Sequence, residues 1–242
     1  MDKIIKVLLV IPAYNEEKNL VQLMENIDSY TKNLSNKMQL DYIIINDGST
    51  DNTIELCKKN SYNVINLICN LGIGGAVQTG YKYAFMNDYD ITVQFDGDGQ
   101  HDINSLENLL VPIIHNECSF VVGSRFMNEN SLFYSTVLRR IGIKWLSFLL
   151  KGFGCDIKDV TSGYRAADKA VTAYFAQYYP SDYPEPEVLV QLKKGGYKIK
   201  EVPVNMFERR NGNSSITWIK SVYYMIKVTL AILYAGFQKS EE

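Results

Sequence analysis

Two aspartates, Asp96 and Asp98, stand one residue apart in the segment DGDGQHD, which covers residues 96–102. Two carboxylates separated by one small residue can face the same hard cation, because a glycine between them lets the backbone turn. Mg²⁺ suits such a pair, since it keeps few protein ligands and completes its shell with phosphate oxygens and water. The segment therefore predicts a site for Mg²⁺ or Mn²⁺ and a phosphate group, whereas the competing interpretation is an acidic surface turn. An EF-hand loop is excluded, because the required ladder of acidic residues with its terminal Glu does not follow.

Two further polar clusters follow the first two predicted strands. IPAYNEE covers residues 11–17, and NDGSTD covers residues 46–51. The carboxyl ends of parallel strands share one edge of the sheet, which is where ligands bind in open α/β folds. Tyr14 can cover a nucleobase there, and Asp47 can accept hydrogen bonds from the edge of uracil or guanine. The segment from residue 47 to 51 is by itself an ordinary helix-capping turn, but three polar clusters at successive strand ends predict one shared site.

The elements that must position these clusters alternate in type along the first half of the chain. Apolar, strand-like runs are predicted at residues 4–11 (ended by Pro12), 41–45, 64–68, 91–95 and 120–122. Helical spacing is predicted at residues 16–29, 51–59 and 74–86. Such alternation, with nearly continuous apolar strands, is typical of an α/β fold with a mostly parallel central sheet and helices on both faces.

After Arg125 the pattern becomes mainly helical. Helices are predicted at residues 137–150, 168–178, 187–194 and 218–237, and one strand at residues 198–204. The sequence contains no internal repeat, no low-complexity segment and no linker. We therefore expect one main domain over residues 1–216 and a C-terminal amphipathic helical extension over residues 217–242.

The glycine run Gly72-Ile73-Gly74-Gly75 raises the alternative of a dinucleotide-binding fold. That fingerprint requires a third Gly or Ala at the position that Val77 occupies here, so the match fails. We expect the small residues of this segment to pack a helix against the sheet, with no direct ligand role.

Composition narrows the class of partner and the compartment. A net charge of −2 over 242 residues argues against general nucleic-acid binding, which needs a basic excess. The four cysteines and two histidines lack the spacing of a zinc site, so we expect free thiols in a reducing compartment. The apolar run before Pro12 is too short for a secretory signal, so we expect a cytoplasmic protein.

Six motifs in a fixed order resemble those of glycosyltransferase family 2: IPAYNEE, NDGSTD, NLGIGGAVQTG, DGDGQHD, VGSRF and TSGYR. The late segment EVPV, with Arg209 and Gly212 after it, resembles the narrower branch of dolichol-phosphate-mannose synthase-like and bacterial polyprenyl-phosphate glycosyltransferases. The resemblance covers roughly residues 4–216. It implies the GT-A fold and inverting transfer of a sugar from a nucleotide sugar, with a UDP-sugar favoured. The implied acceptor is a polyprenyl phosphate such as undecaprenyl phosphate, for cell-surface glycan synthesis.

The same resemblance implies roles for individual residues. Nucleotide contacts are implied for Pro12, Tyr14, Glu16, Asp47 and Asp96. Metal ligands are implied at Asp96, Asp98 and Gln100, with Mg²⁺ or Mn²⁺ as the cofactor. Catalytic roles are implied for Asp98, Arg125 and Arg209, and contacts with the acceptor phosphate for Arg125, Arg139 and Arg140. Some relatives carry a basic residue after the serine of the late loop, where this chain has Ser214-Ser215-Ile216, so the phosphate contacts of that loop stay open.

A general base is required only for some acceptors. Glu185 and Glu187 are candidates, although acidic residues are also favoured at a helix start that is punctuated by prolines. A phosphate acceptor needs no base, because its oxygen is already anionic at neutral pH. The alternative, transfer to a saccharide or protein, needs one, and Glu187 or Asp159 would then be the residue. A further alternative is a non-catalytic nucleotide-binding partner.

Two predicted helices combine basic and apolar residues, at residues 137–150 and 218–237. Lys220 and Lys227 interrupt the second, and charges near the middle of a spanning helix are costly, so we do not expect it to cross a membrane. A basic, aromatic helix of this kind can lie in the membrane interface. Packing within the domain, a homo-oligomer contact or a small membrane-protein partner are the alternatives. We expect a peripheral protein at the inner face of the cell membrane.

Overall fold

One seven-stranded sheet runs through the computed structural model, which describes residues 4–127, 137–207 and 218–237, with the backbone alone at 137–139 and 218–222. The strands are β1 (Ile5–Ala13), β2 (Met38–Asn46), β3 (Val64–Asn66), β4 (Ile91–Gln94), β5 (Phe120–Ser124), β6 (Arg165–Asp168) and β7 (Ile199–Pro203). Their spatial order is β3-β2-β1-β4-β6-β5-β7. Every neighbouring pair is parallel except the two that β6 makes with β4 and β5. The prediction of a mostly parallel α/β sheet is confirmed.

Helices cover both faces of this sheet. They are α1 (Leu20–Thr31), α2 (Thr53–Lys59), α3 (Gly72–Met86), α4 (Leu106–Ile114), α5 (Val137–Gly152), α6 (Lys169–Gln177), α7 (Pro184–Lys194) and α8 (Trp218–Phe237). One hydrophobic cluster lies between the sheet and the pair α1 and α4, and includes Val7, Leu9 and Leu109. A second cluster joins the other face to α3, α5, α6, α7 and α8, and includes Tyr81 and Phe175.

Helix α1 confirms the predicted apolar face but begins later than expected. Its buried residues are Leu20, Leu23, Met24 and Ile27. Glu16 lies in the turn before the helix, where its carbonyl accepts hydrogen bonds from the Asn19 and Leu20 N–H groups. The acidic end of IPAYNEE is therefore held in a turn at the edge of the sheet.

Pro12 does not end β1, contrary to the prediction. The strand continues to Ala13, and Pro12 is in register with Ile45 of β2. The Pro12 carbonyl accepts a hydrogen bond from Gly97 N–H at 3.3 Å, so the chain just after β4 still runs beside this end of β1. Proline has no N–H to donate, but it lies one residue before the end of β1, so the sheet gives up at most one hydrogen bond there.

Strand β6 and helix α4 were not predicted. β6 has the sequence RAAD, which lacks the β-branched residues that favour strands, and it forms because β4 and β5 flank it. Helix α6 was expected to begin at Asp168 but begins at Lys169. Asp168 is its N-cap, and its carboxylate accepts a hydrogen bond from Val171 N–H at 2.8 Å.

Helix α8 packs on α5 and α7. Trp145 Nε1 donates a hydrogen bond to Thr229 Oγ1 at 3.2 Å, which joins α5 to α8. Lys194 Nζ donates to the carbonyl of Ala235 at 2.9 Å, near the end of α8, where a cation is favourable. None of the described helices is both long enough and apolar enough to span a membrane. The division of the chain at residue 216 stays a prediction.

Candidate active site

The three polar clusters predicted to meet do lie together. Ala13 and Asn46 are register partners at the ends of β1 and β2. Asp47 N–H donates to the Ala13 carbonyl at 2.9 Å, and Gly97 N–H donates to the Pro12 carbonyl at 3.3 Å. The loops that follow β1, β2 and β4 therefore leave the sheet at one edge and are joined by backbone hydrogen bonds.

Asn15 joins the first two loops, a role that sequence reasoning missed. Its backbone is left-handed, with φ of 58°, a conformation that Asn tolerates better than most residues. Its Oδ1 accepts hydrogen bonds from Thr50 N–H at 2.8 Å and Asp51 N–H at 3.3 Å, and its own N–H donates to Ser49 Oγ at 2.9 Å. The only sequence signal was that a residue with a high left-handed tendency stands within a site motif.

The predicted nucleoside residues of the first loop differ in their exposure. Tyr14 is 48% exposed at the edge of the sheet, where a planar ring can stack on it. Glu16 is almost buried: its Oε2 accepts from Asn19 Nδ2 at 2.6 Å, and its N–H donates to Thr53 Oγ1. Their contacts with a nucleoside stay predictions.

Asp47 links the second loop to the start of α3. It is 4% exposed, and its Oδ1 accepts a hydrogen bond from Leu71 N–H at 2.7 Å. Gly48 has φ of +66°, and a Cβ there would lie 2.8 Å from Asn70 N, so the turn requires glycine. The segment before α3 is therefore fastened to the loop after β2 through Asp47.

The glycines of α3 mainly permit close packing. A Cβ at Gly80 would lie 2.0 Å from Val10 Cγ1, so the prediction that a small residue packs this helix on the sheet is confirmed at Gly80. A Cβ at Gly74 would lie 2.1 Å from the Pro180 carbonyl oxygen, so Gly74 lets the loop before α7 approach the helix.

Asp96 and Asp98 follow β4 directly, as predicted, and both side chains are partly exposed. Asp96 Oδ1 accepts from Gln94 Nε2 at 3.1 Å, while Asp98 Oδ1 accepts from Gln100 N–H at 3.0 Å. The two glycines of the motif serve different purposes. A Cβ at Gly97 would lie 2.9 Å from the Pro12 carbonyl oxygen, whereas Gly99 has φ of +74° and provides the turn.

These carboxylates fit a hard cation that is completed by ligands from elsewhere. Within the described residues, no group of three His, Cys, Asp or Glu side chains could hold a metal ion. A pair of carboxylates suits Mg²⁺ or Mn²⁺ whose other ligands are phosphate oxygens and water. Gln100 Nε2 donates to the Phe207 carbonyl at 3.3 Å, so Gln100 also fastens this loop to the segment after β7. Its role as a third metal ligand stays a prediction.

His101 lies beside Asp96, a placement that sequence reasoning did not use. It is 6% exposed, and its Nδ1 accepts a hydrogen bond from Asp96 N–H at 3.0 Å. Burial lowers the pKa of His101 to about 4, because the charged form loses its solvation. The imidazole is therefore neutral at physiological pH.

Arg125 is buried in an ion pair with Asp159. Its Nε and Nη2 donate to the two carboxylate oxygens of Asp159 at 2.7 and 2.6 Å, a bidentate arrangement. Arg125 is 6% exposed and Asp159 is fully buried. Both oxygens of the buried Asp159 carboxylate are engaged by Arg125, and the suggestion that Asp159 is the base for a hydroxyl acceptor stays a prediction. The predicted contact of Arg125 with a phosphate stays a prediction.

Glu201, the first residue of EVPV, fixes the loop that carries Asp159. Its carboxylate accepts hydrogen bonds from Asp159 N–H at 2.8 Å and from Lys158 N–H at 3.0 Å. The late motif on β7 therefore holds the ion pair on the neighbouring β5 in place.

Arg165 of TSGYR is 1% exposed and clamps two segments together. Its guanidinium donates to the carbonyls of Ser162 at 2.6 Å, Val160 at 3.1 Å and Glu185 at 2.7 Å. The first two belong to the loop before β6, and the third belongs to the first turn of α7. Sequence reasoning used Arg165 only as a family marker, since a buried arginine cannot be distinguished from an exposed one by its letter.

Glu185 and Glu187 both lie in the first turn of α7, which begins at Pro184, so the expected favourable position at a helix start is present. Burial raises the pKa of Glu185, and among the nearby charges Arg165 lowers it while Asp96 raises it. Burial also raises the pKa of Glu187, whose Oε1 accepts from Gln191 one turn along the helix. The pKa of Glu185 is therefore affected by the charges of the candidate site, whereas that of Glu187 is not.

The remaining predicted phosphate contacts fall largely outside the described residues. Arg209 and the Ser214-Ser215-Ile216 segment lie outside them, as does the side chain of Arg139. Arg140 is exposed on α5.

The family profile described as Glycosyl transferase family 2 matches residues 8–173. The chain is 33% identical over 218 residues to UDP-N-acetylglucosamine–dolichyl-phosphate N-acetylglucosaminyltransferase of Methanococcus voltae, covering 81% of this chain and 83% of the relative. It is 26% identical over 222 residues to undecaprenyl-phosphate mannosyltransferase of Micrococcus luteus, covering 88% of each.

A solved structure shares the fold. Glucosyl-3-phosphoglycerate synthase from Mycobacterium tuberculosis, in complex with Mn²⁺, uridine diphosphate and phosphoglyceric acid, superposes with a TM-score of 0.70 at 18% sequence identity. The match covers 98% of this chain and 80% of that one. The predicted GT-A architecture is confirmed.

Proposed function

The chain belongs to glycosyl transferase family 2, and we propose that it transfers a sugar from a nucleotide sugar to a polyprenyl phosphate, with inversion at the anomeric carbon. The observation that carries the proposal is the juxtaposition of Asp96 and Asp98 with the loops after β1 and β2. The relatives named for dolichyl-phosphate and undecaprenyl-phosphate transfer support the lipid acceptor and the narrower branch of the family. We further propose that the product serves cell-surface glycan synthesis.

On the donor side, we expect residues at different strand ends to bind different parts of the nucleotide. We propose that Pro12, Tyr14, Glu16 and Asp47 line the nucleoside, and that Asp96 and Asp98, with Gln100, hold Mg²⁺ or Mn²⁺. When bound, the metal ion offsets charge that develops on the diphosphate leaving group. A UDP-sugar is favoured, because the Methanococcus relative is named for a UDP-sugar and the solved structure contains uridine diphosphate. The sugar would be a hexose or an N-acetylhexosamine.

On the acceptor side, the phosphate oxygen needs no proton removed before it attacks, so positioning and charge are the main requirements. The charge of Arg125 is offset by Asp159, since the two side chains form a buried bidentate pair. Arg125 alone therefore provides little net positive charge. We propose that Arg209, with Arg139 or Arg140, supplies the additional cations that meet the donor and acceptor phosphates.

The surface formed by α5 and α8 suits a lipid bilayer. It exposes large apolar side chains: Ile141, Trp145, Phe148, Tyr223, Ile226, Leu230, Tyr234 and Phe237. Basic residues on α5 accompany them: Arg140, Lys144 and Lys151. A helix pair with apolar and basic residues binds the interface of an anionic membrane. We propose peripheral binding at the inner face of the cell membrane, where the polyprenyl phosphate lies.

Two measurements test the donor and membrane parts separately. A thermal-shift panel of UDP, GDP and their sugars should show stabilisation by one nucleotide class, and only with Mn²⁺ or Mg²⁺, because ligands that bind the folded state raise the melting temperature. No shift with any nucleotide would favour a non-catalytic protein. Flotation with anionic liposomes should carry the chain to the top of a gradient, whereas recovery wholly at the bottom, or as a soluble oligomer, would contradict membrane binding.

A second candidate function is transfer to a saccharide or protein hydroxyl. The observation that favours it is Glu185, a half-buried carboxyl near the charges of the site with a raised pKa, which is a usual property of a general base. Partition of labelled product separates the two candidates, since a lipid-linked sugar enters an organic phase and a glycosylated saccharide or protein does not.

A further inference from the structure

The imidazole of His101 touches Asp96 at two places. Its Nδ1 accepts a hydrogen bond from Asp96 N–H at 3.0 Å, and its Nε2 lies 3.5 Å from Asp96 Oδ2. We propose that His101 is a positioning residue, which fixes the backbone and the carboxylate of Asp96 in the orientation that a metal–diphosphate group requires. This inference rests on the proposed function and assigns a role to a residue that does not itself contact the substrate.

The hydrogen bond decides which nitrogen carries the proton. Because Nδ1 accepts from the backbone, it carries no proton, so in the neutral ring the proton lies on Nε2. Nε2–H is then the group nearest to Asp96 Oδ2, and it places a donor on that side of the carboxylate. One ring therefore orients both the main chain and the side chain of the same aspartate.

Aromatic contacts hold the ring itself in place. The Tyr164 ring stacks on His101 with 4.5 Å between centroids and 9° between planes. Phe95 meets the same ring edge-on at 5.5 Å. Tyr164 is anchored in turn, because its hydroxyl donates to the Asp102 carbonyl at 3.2 Å. His101 also forms a backbone bridge with Met206, after β7. The imidazole has little freedom to rotate away from Asp96.

Two other residues restrict Asp96. Gln94 is 1% exposed and donates from Nε2 to Asp96 Oδ1 at 3.1 Å, while its own Oε1 is buried with no hydrogen-bond partner in the described chain. A buried unpaired oxygen is destabilising, so the Gln94 amide orients Asp96 at a cost to the fold. A Cβ at Gly163 would lie 2.7 Å from Asp96 Oδ2, so a larger residue there would push the carboxylate out of its present position.

We expect substitution of His101 to change the affinity for the metal ion more than the stability of the fold. Groups that orient a metal ligand from outside the coordination shell typically change metal affinity or activity by about 10–100-fold when they are replaced. We therefore expect His101→Phe, which keeps a ring to stack on Tyr164 but removes both nitrogens, to weaken Mn²⁺ binding in the presence of UDP by at least about tenfold. His101→Asn places an amide oxygen near the position of Nδ1, so it should restore affinity to within about threefold of wild type, since it can still accept from the backbone.

The test is a titration with Mn²⁺ followed by electron paramagnetic resonance of the free ion, with UDP present. His115→Asn is the matched control, because His115 is exposed and lies at the end of α4, away from the aspartates. Circular dichroism and the melting temperature of the metal-free protein verify folding. Wild-type affinity in His101→Phe would overturn the proposal, because the role of the ring would then be packing alone. Equal weakening in His101→Phe and His101→Asn would also overturn it, because restoring an acceptor for Asp96 N–H would then have no effect.

A second variant reaches the same oxygen, Asp96 Oδ2, from another segment of the chain. Gly163→Ala places a methyl group against Oδ2 and should weaken Mn²⁺ binding in the same direction as His101→Phe, although His101 is intact. Unchanged Mn²⁺ affinity in a folded Gly163→Ala protein would contradict the view that the orientation of Asp96 controls the site. Failure of the wild-type protein to bind Mn²⁺ in the presence of either UDP or GDP would overturn the proposed metal site together with this inference. Normal Mn²⁺ binding by the wild type and unchanged affinity in the variants would overturn this inference alone.

Discussion

The polar and charged residues beside the sheet are held in place differently in its two halves. In the donor half (β3, β2, β1 and β4), all strands are parallel, and the loops after them are joined by hydrogen bonds such as those of Asn15 and Gly97. In the acceptor half (β6, β5 and β7, with α5 and α8), an antiparallel strand is inserted, and charged side chains are buried in contacts between distant segments. The halves are named for the roles proposed above.

The difference bears on how each half can be changed. In the donor half the predicted metal ligands, Asp96 and Asp98, are partly exposed at the end of a rigid scaffold, so single substitutions of these two residues should remove function and leave the fold intact. The acceptor half depends on buried charge, as in the Arg125–Asp159 pair, so substitutions there should affect stability as well. Four substitutions test this contrast, from the largest expected effect to the smallest.

Asp98→Ala tests the donor half. We expect transfer to fall by about 10³-fold or more, since the substitution removes a group that helps hold charge stabilisation at the leaving group. The free energy of unfolding should change little, because Asp98 is partly exposed. Sugar transfer and chemical denaturation are the measurements, and Asp156→Ala is the control, since Asp156 is an exposed aspartate far along the chain. Wild-type turnover in Asp98→Ala would exclude the metal role.

Asp159→Asn tests the acceptor half. Removing one partner of a buried ion pair leaves the other charge uncompensated, which should lower the free energy of unfolding by about 3–5 kcal/mol. Asp182→Asn is the matched control, because it breaks the exposed Lys227–Asp182 pair and should cost less than about 1 kcal/mol. Urea denaturation measures both. Similar losses of unfolding free energy in Asp159→Asn and Asp182→Asn would show that the buried Arg125–Asp159 pair stabilises the fold no more than an exposed pair does.

Leu230→Glu tests the surface formed by α5 and α8. Leu230 is 61% exposed, and burying a leucine in an apolar phase is worth about 1.5–3 kcal/mol, so liposome binding should fall by about tenfold or more. Met86→Glu, at the far end of α3 and 81% exposed, should bind liposomes as wild type does. Nucleotide-induced thermal shifts should persist in both proteins. Equal flotation of the two variants would contradict the assignment of this surface to the membrane.

Glu185→Gln should have the smallest effect, and it carries a pH dependence. Because burial raises the folded-state pKa of Glu185, its unfolded state loses the proton first as pH rises, and deprotonation favours unfolding. The wild type should therefore lose stability relative to Glu185→Gln as pH rises from the ordinary glutamate pKa through the raised folded value. Denaturation midpoints at pH 4, 6 and 8 test this sign.

The same variant distinguishes the acceptors. With a phosphate acceptor, transfer by Glu185→Gln should stay within a few-fold of wild type, whereas loss of a true general base costs about 10²–10⁴-fold. Glu187→Gln tests the other candidate base, on the same helix turn. A hundredfold loss in either variant would favour transfer to a hydroxyl, and the variant that shows the loss would identify the base.

The donor half was accessible to sequence reasoning because its signals are local. A β-branched run followed by a polar cluster predicts both a strand and the edge at which its loop lies, so the meeting of Pro12, Asp47 and Asp96 could be predicted from order alone. Local reasoning missed the contacts that individual residues make. Asn15 joins two loops, and Gly97 is required by the Pro12 carbonyl, and both facts depend on residues from another strand.

The acceptor half was less accessible because its signals are non-local. The sequence of β6 has little strand propensity, and this segment forms a strand because β4 and β5 pair with it on either side. The burial of Arg125, Asp159 and Arg165 could not be read from their letters, since charged residues are usually exposed. His101 was passed over because a lone histidine in an acidic loop has no partner until Tyr164 is brought beside it.

The most direct measurement is transfer by the purified chain from a radiolabelled UDP-sugar to undecaprenyl phosphate, with product partitioned between water and organic solvent. We expect label in the organic phase only when Mn²⁺ or Mg²⁺ and the lipid phosphate are both present, and we expect that label to be lost in Asp98→Ala. Label that enters the organic phase without a divalent metal, or that stays in water with every nucleotide sugar offered, would contradict the account.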